Sequence, residues 1–342
     1  MPPEVGSEFH WNPAVLGAGP PLPPGHALFA TGCGALIALL RRLAPRGRLH
    51  LPSYFCMGVA EALSADVPLA WYRHLPGERG PRLDTLRAVP GDVVLAQNLF
   101  GREHREPWDG WRGDHPGVVV VEDHSHDPFS GWARHSTAPY AVASLRKTLP
   151  LPDGGLLWSP DGLVLPQPIG AESPGAGLKL AAMLLKAAWL DGRAVAKDTF
   201  RTLQQRGEAT LLGSTGPASA VTRAVLPLLD VAAVRAADVR NARDLAAALP
   251  QETPQWQVVG AGPFRVQVGC RSEQVRDALL AHLARHRIYA PVHWRQDRGG
   301  LWSGDLAAAD LAARMLTVPV DHRCGPPEVQ RVAEVLLRFR HR

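Results

Sequence analysis

A single lysine, Lys147, stands in the stretch VASLRKTLPLPDGGLLW (142–158), between a short apolar run and a turn reading Pro152-Asp153-Gly154-Gly155. A lysine that reacts with a carbonyl needs such a setting: a fixed backbone, shelter from water that keeps the amine neutral, and a neighbouring segment that bends sharply. Asp123, 24 residues upstream, closes the apolar run GVVVVED and sets a carboxylate at the end of a buried strand. Further upstream, Gly32, Cys33 and Gly34 open a helical pattern. Free N–H groups at a helix N-terminus favour an anion, and glycine lets the backbone approach closely. Taken singly these are a solvated lysine, a loop aspartate and an ordinary helix start; their order along the chain carries the chemical reading.

The elements that position them follow from periodicity. ALFATGCGALIALLRRLA has apolar positions at Ala35, Leu36, Leu39, Leu40 and Leu43, one face of a helix. Short apolar strands follow in GRLHLPSYF, VPLAWYRH, GDVVLAQNLFG, GVVVVEDHSHD and YAVASLRK, with DGGLLWSP as a return strand and MGVAEALSA and DTLRAV as helical pieces. Strands alternating with helices imply an α/β fold, a mostly parallel sheet sandwiched by helices, with functional residues at the carboxyl ends of the strands. Residues 175–247 read as helical with a break at GSTGPAS. From FRVQVGC onward a strand, a helix at 272–286, IYAPVHW, a helix near 305–315, LTVPV and a last helix make a small α+β unit. The expected organisation is an N-terminal arm rich in Pro and Gly (1–26), a large α/β domain (27–245) and a small C-terminal α+β domain (246–342).

The order of these segments resembles the DegT-type aminotransferases, a family of fold-type-I pyridoxal-phosphate (PLP) enzymes known for sugar amination. GCGAL is similar to the turn that opens the family's phosphate-binding helix, Pro52-Ser53-Tyr54 to its strand end, and Glu122-Asp123-His124-Ser125-His126 to its EDxAQ/H element. Pro152-Asp153-Gly154-Gly155 is similar to its GEGG turn, and LTVPVDHRCGPPEVQRVAEVL to its closing strand and helix. The resemblance implies PLP as cofactor and transamination as activity, with a nucleotide-linked keto sugar or another small carbonyl compound as acceptor. It makes Lys147 the Schiff-base lysine and proton carrier, and Asp123 the partner of the pyridine nitrogen. It assigns His126 to the ring hydroxyl, and Gly32, Cys33, Gly34 and Ser144 to the phosphate. The aromatic that stacks on the ring falls, by counting, on Cys56; Tyr54 or Phe55 serves instead, or the ring is packed differently. The family's Gly-aromatic-Asn-x-Arg segment is missing, and LKLAAMLLKAAWL and LLGSTGPASAVTR stand in its place. A homodimer is implied too, and Leu178, Ala181, Ala182, Leu185 and Trp189 have the spacing of an apolar helix face that suits either an interface or a core.

Two other readings stand beside this one. A PLP-fold protein without catalysis, serving as a binding or regulatory module, suits the altered stacking position. A metal-dependent hydrolase would use His124 and His126 with the carboxylates of EDHSHD, because the two imidazoles share one face of a continued strand; the PLP reading assigns no metal. Composition excludes other classes. The 342-residue chain has a net charge of +5 with Arg scattered among Asp and Glu, so no nucleic-acid surface is indicated. Four distant cysteines suit free thiols in a reducing compartment. The absence of a basic-then-apolar leader and of a membrane-spanning run predicts a cytoplasmic protein.

Overall fold

The computed structural model describes residues 3–297 and 299–340; Met1 and Pro2 of the expected arm, Arg298, and His341 and Arg342 of the expected C-terminal unit lie outside the described residues. The chain starts with a two-residue strand, β1 (Val5–Gly6), then enters the large sheet at β2 (Ala27–Phe29). There follow α1 (Gly32–Leu43), β3 (Leu49–Pro52), α2 (Met57–Ser64), β4 (Leu69–Tyr72), β5 (Val93–Gln97), α3 (Glu106–Asp114), β6 (Val119–Asp123), α4 (Gly131–Arg134), β7 (Tyr140–Ser144) and β8 (Gly155–Trp158). The strands assemble in the order β2-β8-β7-β6-β5-β3-β4. All neighbours from β7 to β4 are parallel, and β8 runs antiparallel to both β7 and β2.

Parallel strands need both faces covered, and the sequence meets that need with uninterrupted apolar runs. Val93–Gln97 and Tyr140–Ser144 are buried along their whole length. One face packs on α1 and α2 through Leu36, Leu39, Leu40, Leu63, Val93 and Leu95. The other face carries Ala141, Ala143, Leu156 and Trp158 against Leu226, Leu229 and Val234. Helix α3 has no counterpart in the sequence reading, because the Gly, Pro and Asp of EPWDGWRGD mask its pattern; Trp108 and Trp111, three residues apart, supply its buried face.

Four helices follow: α5 (Pro174–Leu190), α6 (Lys197–Leu211), α7 (Ala220–Val225) and α8 (Val231–Ala248). The C-terminal part has β9 (Trp256–Gly262), β10 (Arg265–Cys270), α9 (Glu273–Arg285), β11 (Ile288–Tyr289), α10 (Leu306–Arg314), β12 (Met315–Pro319) and α11 (Pro326–Arg338). Its sheet is antiparallel, in the order β12-β10-β9, with a core built around Val266, Val268, Leu279, Leu316 and Val332. Among the described residues no helix is long and apolar enough to cross a membrane.

The N-terminal arm lies on the rest of its own chain. β1 pairs in parallel with β11, and the Trp11 N–H donates to the Met183 carbonyl on α5. On α5 the two lysines that interrupt the apolar pattern lie on the buried side, with Ala176, Ala182 and Met183. Leu178, Ala181, Leu185 and Trp189 are only half-buried.

Candidate active site

The carboxyl ends of β5, β6 and β7 lie side by side, with Gln97 paired to Asp123 and Asp123 paired to Val142 in register. Asp123 is only 6% exposed. Its Oδ1 accepts the Ser125 N–H at 2.9 Å and its Oδ2 accepts a long bond from the Gln97 amide at 3.4 Å. Among the described residues no cation lies within ion-pair distance of it. The Ser125 hydroxyl accepts the Ser144 N–H at 3.0 Å, which ties the loop after β6 to the end of β7.

The start of α1 sits against that point. Thr31 caps the helix, its hydroxyl accepting the Gly34 N–H at 2.9 Å. The first N–H groups of a helix have no intrahelical acceptor, so those of Gly32 and Cys33 remain available. A Cβ on Gly32 would lie 3.2 Å from the Ser144 Cβ, and the Ser144 hydroxyl has no hydrogen-bond partner among the described residues. Two glycines permit this closeness. A Cβ on Gly34 would lie 1.8 Å from the Ser214 carbonyl oxygen, and one on Gly155 would lie 2.2 Å from the Thr31 carbonyl carbon. The side chain of Asp153, in the same turn as Gly155, accepts from the Ser219 N–H and hydroxyl at 2.8 Å each and from the Thr222 hydroxyl.

Lys147 follows β7 in a single 3₁₀ turn and is half-buried. It lines a cavity of about 550 Å³ together with Arg146, His126 and residues from three distant parts of the chain: the arm (Gly6–Phe9), the α5–α6 pair, and the C-terminal unit. Of the expected site residues, the structure brings Lys147 and His126 to this cavity. Asp123, Ser144, Gly32, Cys33 and Gly34 are buried and do not line it. Phe55 lies in the core beneath α1, and the Tyr54 hydroxyl donates to the His293 carbonyl. Neither ring lines the cavity; the aromatic nearest that role is Trp294, nearly parallel to His126 with ring centroids 5.7 Å apart.

His126 accepts the Phe100 N–H on Nδ1 at 2.9 Å, which makes Nε2 the donor of the neutral ring. Burial holds its pKa well below the ordinary value, and the charges of Arg265 and Lys147 push the same way. His293 is held low by burial and the same two cations, and its Nδ1 lies 2.8 Å from the Thr317 hydroxyl. His124 does not share this face. The strand ends at Asp123, and the turn beyond it sends His124 to Glu122 at 2.9 Å and packs it edge-on against Trp132. Asp127 pairs with Arg235 at 2.8 Å. Among the described residues no three His, Cys, Asp or Glu side chains converge as a metal site, so the ligand set of the hydrolase reading is dispersed.

The sequence reading missed Arg265, His293, Trp294, Glu8, Lys179 and Arg323. The motif APVHW offered a signal for two of them, though the sequence reading named IYAPVHW only as a segment between two helices. Arg265 offered a weaker one: in RVQVGC, Val266 and Val268 enter the core of the C-terminal unit, and the alternate face, with Arg265 and Gln267, looks like an exposed one. It is instead buried.

No protein-family model matches the chain, and no curated protein is similar to it in sequence. Solved structures match along most of its length. A DegT DnrJ EryC1 StrS aminotransferase from Brucella abortus is 15% identical with a TM-score of 0.56, over 91% of this chain and 85% of that one. The aminotransferase TlmJ from Streptoalloteichus hindustanus is 18% identical with a TM-score of 0.57, over 91% and 84%. A sugar aminotransferase from Streptococcus pneumoniae, solved in its PLP form, is 13% identical with a TM-score of 0.54, over 92% and 86%. The chain therefore carries, over about nine-tenths of its length, the fold of the DegT-type fold-type-I aminotransferases.

Proposed function

We propose that this protein is a PLP-dependent aminotransferase. The observation that carries the reading is Asp123. A buried carboxylate reached only by neutral donors suits a protonated ring nitrogen, which supplies the missing positive charge. The rest of the donor set fits the same group: the N–H groups of Gly32 and Cys33 and the Ser144 hydroxyl for a phosphate, Nε2 of His126 for a ring oxygen, and the Lys147 amine for a carbonyl. When bound, the cofactor supplies an electron sink that stabilises negative charge at the substrate's α-carbon. Asp123 keeps the ring nitrogen protonated. Lys147 holds the cofactor and, once released, carries the proton at the α-carbon. Burial holds the pKa of both His126 and His293 low, which disfavours a positive charge on either beside Lys147.

The donor is an amino acid and the acceptor a small carbonyl compound, with a nucleotide-linked keto sugar as the candidate the fold suggests. In this reading residues 27–245 hold the cofactor, and the C-terminal unit contributes Arg265, His293 and Trp294 to the cavity beside Lys147. A cytoplasmic homodimer accompanies this reading, with the half-buried Leu178, Leu185 and Trp189 at hand for an interface. Adding PLP to the purified protein should give visible absorbance that borohydride fixes to Lys147, and Lys147→Ala should fold but lose it. Persistence of the band in Lys147→Ala would place the attachment on another lysine. One observation favours a second reading, a PLP-fold binding module: neither Tyr54 nor Phe55 offers a ring face to the cavity. That reading expects cofactor binding with no conversion by any amino donor.

A further inference from the structure

The cavity lining carries five cations and three carboxylates: Arg146, Lys147, Lys179, Arg265 and Arg323 against Glu8, Glu208 and Asp321. Most of these charges are spent on each other. Arg146 meets Glu208 in a two-pronged pair at 2.6 Å. Lys179 holds Glu8 at 2.5 Å and Glu208 at 3.3 Å. Arg323 holds Asp321 at 2.7 Å and donates to the carbonyls of Gly6, Ser7 and Glu8. Two cations make no direct ion pair among the described residues, Lys147 and Arg265; the charge of the buried Asp238 bears on Arg265 without touching it, and Lys147 is reserved for the cofactor.

Arg265 is 5% exposed, and its guanidinium makes no hydrogen bond among the described residues. It lies over the Phe264 ring, 3.6 Å from the centroid, which fixes its plane without neutralising it. Its Nε is buried and unpartnered, while the side chain borders the cavity. Lys147 stands on the same cavity, since both charges bear on His126 and His293. A buried guanidinium that no carboxylate touches is costly, and a fork of donors bordering a cavity matches a carboxylate.

We infer that Arg265 anchors the carboxylate of an amino or keto acid, and that the cavity takes compact substrates with one carboxylate in preference to nucleotide-linked sugars. A diphosphate brings at least two negative charges to a lining that, with Lys147 set aside, has a single cation outside an ion pair to offer, and the arm places Glu8 in the wall it would approach. The inference deepens the aminotransferase reading, on which the identity of the acid rests.

Calorimetric titration of pyruvate, a keto acid with one carboxylate, and of UDP into the wild-type protein and Arg265→Met, with and without PLP, tests it. The keto acid should bind the wild type and lose at least about 30-fold in affinity in the variant, the worth of a charge-assisted pair. UDP should neither bind comparably nor compete. Arg265→Met should melt at or above the wild-type temperature, because it removes an unpaired buried charge; Arg265→Lys, which keeps the charge and loses the fork, serves as the second variant and should bind at an intermediate level. Equal keto-acid affinity in wild type and Arg265→Met, or displacement of the keto acid by UDP, overturns the inference. Loss of keto-acid binding in the variant, with no visible band on adding PLP, would sink the aminotransferase reading and leave Arg265 as an anion anchor.

Discussion

Asp123 and Asp153 are both buried carboxylates at the same end of the large sheet, yet their surroundings differ. Asp153 is fully buried and accepts three bonds, from the Ser219 N–H, the Ser219 hydroxyl and the Thr222 hydroxyl. Asp123 accepts one good backbone bond and one long amide bond. The cations repeat the contrast. Lys186 on α5 is 1% exposed and donates to the Ser7 hydroxyl and the Glu8 carbonyl at 2.5 Å each, whereas Arg265 donates to nothing among the described residues. Burial alone thus does not mark a functional group. The satisfied members of each pair hold the turn before β8 and the N-terminal arm in place; of the unsatisfied members, Asp123 ends β6 and Arg265 borders the cavity.

The largest expected effect is on chemistry. Asp123→Ala should lower single-turnover transamination by roughly a thousandfold or more, since the ring nitrogen loses the group that keeps it protonated. His126→Ala removes only a donor to a ring oxygen and should cost about tenfold. Stability of Asp123→Ala should stay within about 1 kcal/mol of wild type, because little is paired to that carboxylate. Equal losses in the two variants would erase the distinction drawn for Asp123.

Asp153→Ala should do the reverse. It orphans three donors under α7 and should destabilise by about 2–4 kcal/mol in denaturant titrations. Any cofactor the folded fraction retains should show its normal spectrum. A stable Asp153→Ala protein with an altered cofactor spectrum would make Asp153 the functional member of the pair.

The smallest effect is a pH dependence. Burial lowers the Lys186 amine to about 8 from its ordinary 10.5, with Arg323 adding to the shift and Glu4 opposing it. Below pH 8 both folded and unfolded chains carry the proton. Between 8 and 10.5 the folded chain releases it while the unfolded chain keeps it, so this group's contribution to stability rises with pH. The ceiling is about 3 kcal/mol. Denaturation at pH 7.5 and pH 10 should show the wild type gaining on Lys186→Met across the interval; parallel curves would mean that the arm's hydrogen bonds, not burial, govern the amine.

The segments proposed to hold a cofactor were legible in the sequence, because they depend on local order along the chain. A strand ending in Asp123, a strand ending in Ser144 with Lys147 just beyond, and glycines where a Cβ would strike Thr31 or Ser214 are each written within a few residues. The aromatic lining of the cavity was not: Phe55 reads like a neighbour of Tyr54, but the chain turns it into the core beneath α1, and Trp294 arrives from the C-terminal part of the chain.

The sequence by itself determined the alternation of strands and helices, and with it the parallel sheet and the edge where its functional residues collect. Only the tertiary structure decided which charges are spent and which remain open. Glu8, Arg146, Lys179, Glu208, Arg265, Asp321 and Arg323 are scattered over more than three hundred positions, and nothing in their local patterns says that Arg146 finds Glu208 or that Arg265 finds no acid. Ion pairing depends on distances of a few ångströms set by how the arm, the helices and the C-terminal sheet pack. A hydrophobic pattern specifies which faces are buried, but not which charged side chains meet there.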